Sequence, residues 1–153
     1  LVKNIANSSG LAIDKSRNAL RIARRNIKSL GLSKQIQTRH ASFEHIGKTH
    51  DQFDIIVSNP PYIAHNDPRV NDAALHDPKM ALYAKNNGLA AYESIAKNAH
   101  KWIKNDGKLY TEIGAGQGPD IKNIFIHNGW DLLRSENDLT GIERVLVFIR
   151  AHK

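Results

Sequence analysis

The chain has 153 residues, no Cys and a formal net charge of +7, with 41% hydrophobic and 24% charged residues. That length supports one domain with a sizeable core. The lack of Cys excludes disulfides and thiolate chemistry, and no apolar run reaches the roughly 18 residues that a membrane-spanning helix needs. The positive charge suits an anionic neighbourhood such as the ribosome, and equally a solvated basic surface.

The first element is Gly10–Ile13, short and apolar, a buried strand ending at Asp14. Ser16 can cap a helix in which Ala19, Ile22, Ala23, Ile27 and Leu30 recur at helical spacing, with Gly31 as its stop. Ile36–His40 is a second, weaker strand. Phe53–Ser58 is continuous and apolar, as expected of a strand in a parallel sheet covered on both faces. Ala64–Ala84 is a polar, proline-containing loop, and loops of that length are often functional. Leu89–Lys104 reads as a helix, Asp106-Gly107 as a turn, and Lys108–Ile113 as a strand. A helix follows over Asp120–His127, then strands over Trp130–Leu133 and Arg144–Arg150. Strands alternating with helices predict an α/β fold with a mostly parallel sheet. Ligands in such sheets bind at the carboxyl ends of strands. Asp14, Asn59 and Gly114 all stand at such ends.

The chemistry concentrates at those ends. A carboxylate at the end of a strand, such as Asp14, is placed to accept hydrogen bonds from ribose hydroxyls; it is also an ordinary turn residue. Asn59-Pro60-Pro61-Tyr62 follows the strongest strand. Proline has no N–H and a fixed φ, and Pro60 drives Asn59 away from helical geometry. The turn is therefore rigid and aims the Asn59 amide outward. Its oxygen and a backbone carbonyl can together accept both N–H bonds of a planar –NH2 group, with Tyr62 over that group's face.

This tetrad resembles the catalytic motif of S-adenosylmethionine-dependent methyltransferases that act on amino groups of planar systems. These include adenine-N6 and glutamine-amide methyltransferases. The surrounding segments separate them. "AIDKS" (Ala12–Ser16), "FDIIVSNPPYI" (Phe53–Ile63), "DPKMAL" (Asp77–Leu82), "NGLAAY" (Asn87–Tyr92), "EIGAGQG" (Glu112–Gly118) and "DLTGIERV" (Asp138–Val145) stand in an order similar to that of release-factor glutamine methyltransferases, the HemK/PrmC family. Asp77-Pro78 and Asn87-Gly88 stand where that family usually has Glu-Pro and Asp-Gly. Ala41 and Ser42 replace its usual acidic and aromatic residues before Phe43.

The resemblance implies a Rossmann-like methyltransferase fold with an antiparallel last strand. It implies S-adenosylmethionine as methyl donor, S-adenosylhomocysteine as product and a peptide chain release factor as partner, in the cytoplasm, with no membrane and no direct nucleic-acid binding required. Asn59 and Pro60 would hold the target amide, Pro61 would fix the turn, and Tyr62 would pack against the amide plane. Asp14 would hold the ribose, and Ser42 and Phe43 would flank the adenine. It also implies that the family's Gly-rich first motif, its strand and an N-terminal helical domain would lie upstream of Leu1. A partial methyltransferase domain of this kind is expected to fold poorly and to be inactive alone. Two alternatives stay open: an adenine-N6 nucleic-acid methyltransferase, in permuted form with Gly114–Gly118 as its cofactor loop, and a non-catalytic binding fragment. The eight His residues show no zinc spacing, so no metal site is expected.

Overall fold

The computed structural model describes residues 1–45, 52–64, 83–84 and 88–152. The segment Asp77–Leu82, residue Asn87 and nearly all of the long loop lie outside the described residues. The chain divides into two compact units, Leu1–Thr49 and His50–Lys153.

The first unit is a strand–helix–strand motif. β1 (Gly10–Asp14) pairs in parallel with β2 (Ile36–His40), with Asp14 opposite His40. Parallel neighbours need a crossover, and α1 (Arg17–Ser29) supplies it. Ser16 starts the helix: its Oγ accepts the Ala19 N–H at 3.2 Å, satisfying one of the first-turn donors. Gly31 follows the helix at φ 71°, a left-handed conformation that glycine adopts without a Cβ clash. Leu20 is buried beneath the helix, and Ala19, Ala23 and Ile27 are half-buried on the same side.

The second unit is built on a four-stranded sheet in the order β3-β6-β8-β7. Its strands are β3 (Phe53–Ser58), β6 (Ile103–Glu112), β7 (Trp130–Asn137) and β8 (Glu143–Arg150). β3 and β6 run parallel; β8 runs antiparallel to both β6 and β7. The expected antiparallel last strand is present, but this sheet is mixed. Two further short strands, β4 (Ile63–Ala64) and β5 (Tyr83–Ala84), pair in parallel. Two helices, α2 (Ala90–Asn98) and α3 (Gly118–His127), complete the unit.

The core of this unit lies on one face of the sheet. Leu109 and Thr111 of β6 stand opposite Phe148 and Leu146 of β8, and all four are fully buried. Phe125 of α3 stacks on Phe148 at 4.1 Å, and Trp130 meets the Phe125 edge at 6.0 Å. The Trp130 indole N–H donates to the Ala96 carbonyl at 2.8 Å, so this large ring is buried without leaving a polar group unsatisfied. The opposite face differs from expectation. Ile55 and Val57 are 43% and 56% exposed, so β3 is not covered on both faces among the described residues.

One helix ends sooner than its periodicity predicts. After Asn98 the chain makes a 3-10 turn, Ala99–Lys101, and β6 begins at Ile103. The Phe53 N–H donates to the Trp102 carbonyl at 2.6 Å, and Arg150 donates to the carbonyls of His100 and Ile103. These tertiary bonds draw the segment out of the helix. Asp106-Gly107 lies inside β6, opposite a register shift in β3. A side chain at Gly107 would meet the Phe53 and Asp54 carbonyls at 3.0 and 3.1 Å. Among the described residues no helix is long and apolar enough to cross a membrane.

Candidate active site

The predicted site residues fall into two groups, one in each unit. In the first unit Asp14 ends β1, and Ala41 to Phe43 follow β2 at the same end of the two-stranded sheet. The parallel register brings them together: the Ala41 N–H donates to the Asp14 carbonyl at 3.1 Å. Asp14 is exposed, and its Oδ1 accepts the Ser16 N–H at 2.6 Å. The second carboxylate oxygen accepts no hydrogen bond among the described residues. Ser42 Oγ donates to Glu44 Oε2 at 2.9 Å, and Phe43 is half-buried.

In the second unit the turn Asn59–Tyr62 leaves the carboxyl end of β3. Ser58 and Pro60 are buried, Pro61 and Tyr62 half-buried, and Asn59 exposed. Asn59 has no hydrogen-bond partner among the described residues. The turn is held from behind by Gln117, in the loop between β6 and α3. The Gln117 Nε2 donates to the Tyr62 carbonyl at 3.0 Å, and its Oε1 accepts the Gly114 N–H at 3.1 Å. One amide thus ties two loops together, 55 residues apart in sequence.

Glycine makes this approach possible. A Cβ on Gly114 would lie 2.6 Å from Gln117 Oε1 and 3.0 Å from the Tyr62 ring. A Cβ on Gly88 would collide with the Tyr62 carbonyl and lie 2.9 Å from Gln117 Nε2. Gly88 also has φ 88°, so its freedom is needed twice over. Tyr92 supports the same region from α2, its hydroxyl donating to the Glu112 carbonyl at 2.9 Å. Burial, with Tyr62 and Glu112 acting in the same direction, pushes the Tyr92 phenol well above its ordinary value. It therefore stays a neutral donor.

The loop Gly114–Gly118 thus borders the Asn59–Tyr62 turn. Sequence reading missed Gln117, Gly88 and Tyr92 as supports of that turn. The signal was present in "EIGAGQG" and "NGLAAY", but nothing local says what their side chains meet. Chemically, the turn offers an exposed amide side chain on a braced scaffold. An amide oxygen of this kind can accept from an N–H-bearing planar group.

The fold is that of the Rossmann-like methyltransferases. It matches a ribosomal protein L11 methylase from Lactobacillus delbrueckii subsp. bulgaricus with a TM-score of 0.62 at 19% identity, covering 94% of this chain and 58% of that one. It matches a methyltransferase from Pyrococcus furiosus with a TM-score of 0.69 at 17% identity, covering 98% and 66%. The chain belongs to the family described as RMKL-like, methyltransferase domain (UPF0020), which matches residues 3–81.

Among curated relatives it is 39% identical over 155 residues to a release factor glutamine methyltransferase of Agrobacterium fabrum, 98% of this chain and 52% of that protein. It is 39% identical over 151 residues to a bifunctional methyltransferase of Rickettsia felis, 97% of this chain and 28% of that protein. The chain therefore spans about half or less of the length of these relatives. The resemblance read from the motifs extends to overall sequence: relatives named release factor glutamine methyltransferase are 33%, 37% and 39% identical over most of the chain.

Proposed function

We propose that the protein transfers a methyl group from S-adenosylmethionine to the side-chain amide nitrogen of the glutamine in the Gly-Gly-Gln motif of peptide chain release factors, in the cytoplasm. The observation that carries this reading is the braced Asn59–Tyr62 turn, whose exposed Asn59 amide has no partner among the described residues.

The residues present fit the cofactor. Asp14 keeps one carboxylate oxygen for a ribose diol while the other is held by Ser16. Phe43, with Ser42 beside it, offers a ring face to an adenine. When bound, S-adenosylmethionine supplies a methyl group made electrophilic by its sulfonium. The chain's own residues do the rest. An amide nitrogen is a poor nucleophile because its lone pair is delocalised. Asn59 Oδ1 and the Pro60 carbonyl accept the two N–H bonds of the target amide and fix the nitrogen's direction, which supplies much of the acceleration. The same two acceptors stabilise positive charge as it develops on nitrogen. Pro61 keeps the turn from bending away, and Tyr62 packs against the amide plane.

The test is methyl transfer by the full-length protein from labelled S-adenosylmethionine to three acceptors: a release factor, the same factor with its Gly-Gly-Gln glutamine replaced, and adenine-containing DNA. Label on the first alone is expected. Label on DNA, or equal label on both release factors, would overturn the assignment.

A further inference from the structure

The net charge is not spread over the molecule. Leu1–Thr49 carries ten Lys and Arg against two Asp and Glu, a net +8, whereas His50–Lys153 carries twelve against thirteen, a net −1. Five of the ten cations, Arg17, Arg21, Arg24, Arg25 and Lys28, stand on α1, which contains no acidic residue. At 100° per residue all five fall within an arc of about 100°. All five are exposed. Arg24 donates to Thr38 Oγ1 at 2.7 Å, and none of the five forms an ion pair among the described residues.

This arrangement works against the helix. Arg17/Arg21, Arg21/Arg25 and Arg24/Lys28 are like charges four apart, and Arg21/Arg24 and Arg25/Lys28 are three apart, each a destabilising pair. Arg17 opens the helix where its dipole favours an anion. An ordinary solvated helix face mixes signs and avoids both penalties. A partner that brings the counter-charge removes them.

We propose that the outer face of α1 binds the phosphate backbone of single-stranded RNA. The five cations stand over 12 residues, from Arg17 to Lys28, or about 17 Å of helix, roughly one charge per 4 Å. A polynucleotide strand presents one phosphate per about 3.4 Å of its axis. A single row of cations fits a single strand, and unpaired polynucleotide in a cell is overwhelmingly RNA. An anionic membrane fits less well, because Leu20 of α1 is buried and Ala19, Ala23 and Ile27 are half-buried in its own unit, which leaves Ile22 as the exposed apolar side chain of the helix. None of these five cations is among the groups assigned to methyl transfer, and the proposal does not depend on that assignment.

The experiment measures binding of the full-length protein to a labelled, mixed-sequence single-stranded RNA between about 50 and 200 mM salt. For five contacts the slope of log affinity against log salt is expected near −3.5, at about −0.7 per contact. The test variant is Arg17→Glu with Arg25→Glu. It creates favourable pairs with Arg21 and Lys28 and an acid in the first helical turn. It should raise Tm by about 2–8 °C while reducing the slope by about 1.4 or more. The neutral variant Arg17→Gln with Arg25→Gln should lose slope to an intermediate degree. Weaker RNA binding in a more stable protein cannot come from unfolding. The proposal is overturned if the wild type fails to bind RNA at about 50 mM salt. It is equally overturned if the slope is unchanged in both variants, or if the charge-dependent partner is the release factor or an anionic vesicle and not RNA.

Discussion

Asn59 and Gln117 divide the work at the end of β3. Asn59 is exposed and, in the proposed reaction, would present its oxygen to the acceptor, whereas Gln117 holds the turn by the Tyr62 carbonyl at 3.0 Å. Replacing Asn59 by Ala should lower turnover on the order of a hundredfold or more, by analogy with loss of one preorganised hydrogen-bonding group. The melting temperature should barely change, because the side chain is exposed. Rate measurement with a release factor decides, and near-normal turnover in the folded variant would remove the amide clamp. Gln117→Glu probes the brace. The introduced carboxylate still accepts from Gly114 but sets an oxygen against the Tyr62 carbonyl, and turnover should fall about tenfold, the equivalent of one hydrogen bond of about 1.4 kcal/mol. Protonating that carboxyl restores a donor, so the ratio of variant to wild-type rate should climb as pH falls. A flat ratio would assign Gln117 a packing role. Asp14→Ala removes a charged acceptor at the end of β1. Affinity for S-adenosylhomocysteine, read by calorimetry, should fall roughly ten- to a hundredfold, or about 1.5–3 kcal/mol. Unchanged affinity would make Asp14 a turn residue.

At the level of elements, the β7–β8 hairpin reaches back to the site. Asp138 Oδ1 accepts from the Thr140 N–H at 2.9 Å, the Thr140 hydroxyl at 2.6 Å and the Ile142 N–H at 3.0 Å. Its Oδ2 accepts from Arg144 Nε at 3.1 Å. Arg144 is joined to the end of β6, its carbonyl accepting the Ile113 N–H at 2.9 Å. The hairpin thus braces the residue immediately before Gly114. The Thr140 hydroxyl, then the backbone N–H groups and Arg144, hold the Asp138 carboxyl well below the usual carboxylate range. A depressed folded-state value means the contribution to stability is fully present above the ordinary value of 3.8 and is lost as pH falls below it toward the folded value. Asp138→Ala should therefore melt below wild type at neutral pH. The gap should narrow as pH drops from about 5 to about 3. A gap independent of pH would show that the loop, and not the carboxylate, sets the difference.

For the molecule as a whole, the edge of the larger sheet is the weak point. Among the described residues β3 pairs with β6 alone, and it exposes Ile55 and Val57. An unpaired apolar edge is a template for joining another chain. The protein should therefore self-associate as its concentration rises, as size-exclusion chromatography would show. A protein that stays monomeric over that range would refute this. Much of the architecture could be read directly. β1, α1, β2 and β3 follow from apolar runs, helical spacing and capping, because each is a local pattern of side chains around a fixed period. The Asn59–Tyr62 turn was equally legible, since two prolines restrict the backbone whatever surrounds them. By contrast, β7 runs to Asn137 with every residue after Trp130 exposed, so no hydrophobic alternation marks it, and backbone pairing with β8 alone makes it a strand. β6 starts early because Phe53 and Arg150, distant in sequence, capture the carbonyls of Trp102 and Ile103. Gln117 became visible as a brace only when the chain brought Tyr62 within 3.0 Å. The sequence by itself determined the class of fold and the rigid turn Asn59–Tyr62, because both rest on local covalent and steric constraints. Tertiary structure alone decided where strands begin and what holds the site rigid, because those rest on hydrogen bonds between segments whose separation no local pattern encodes.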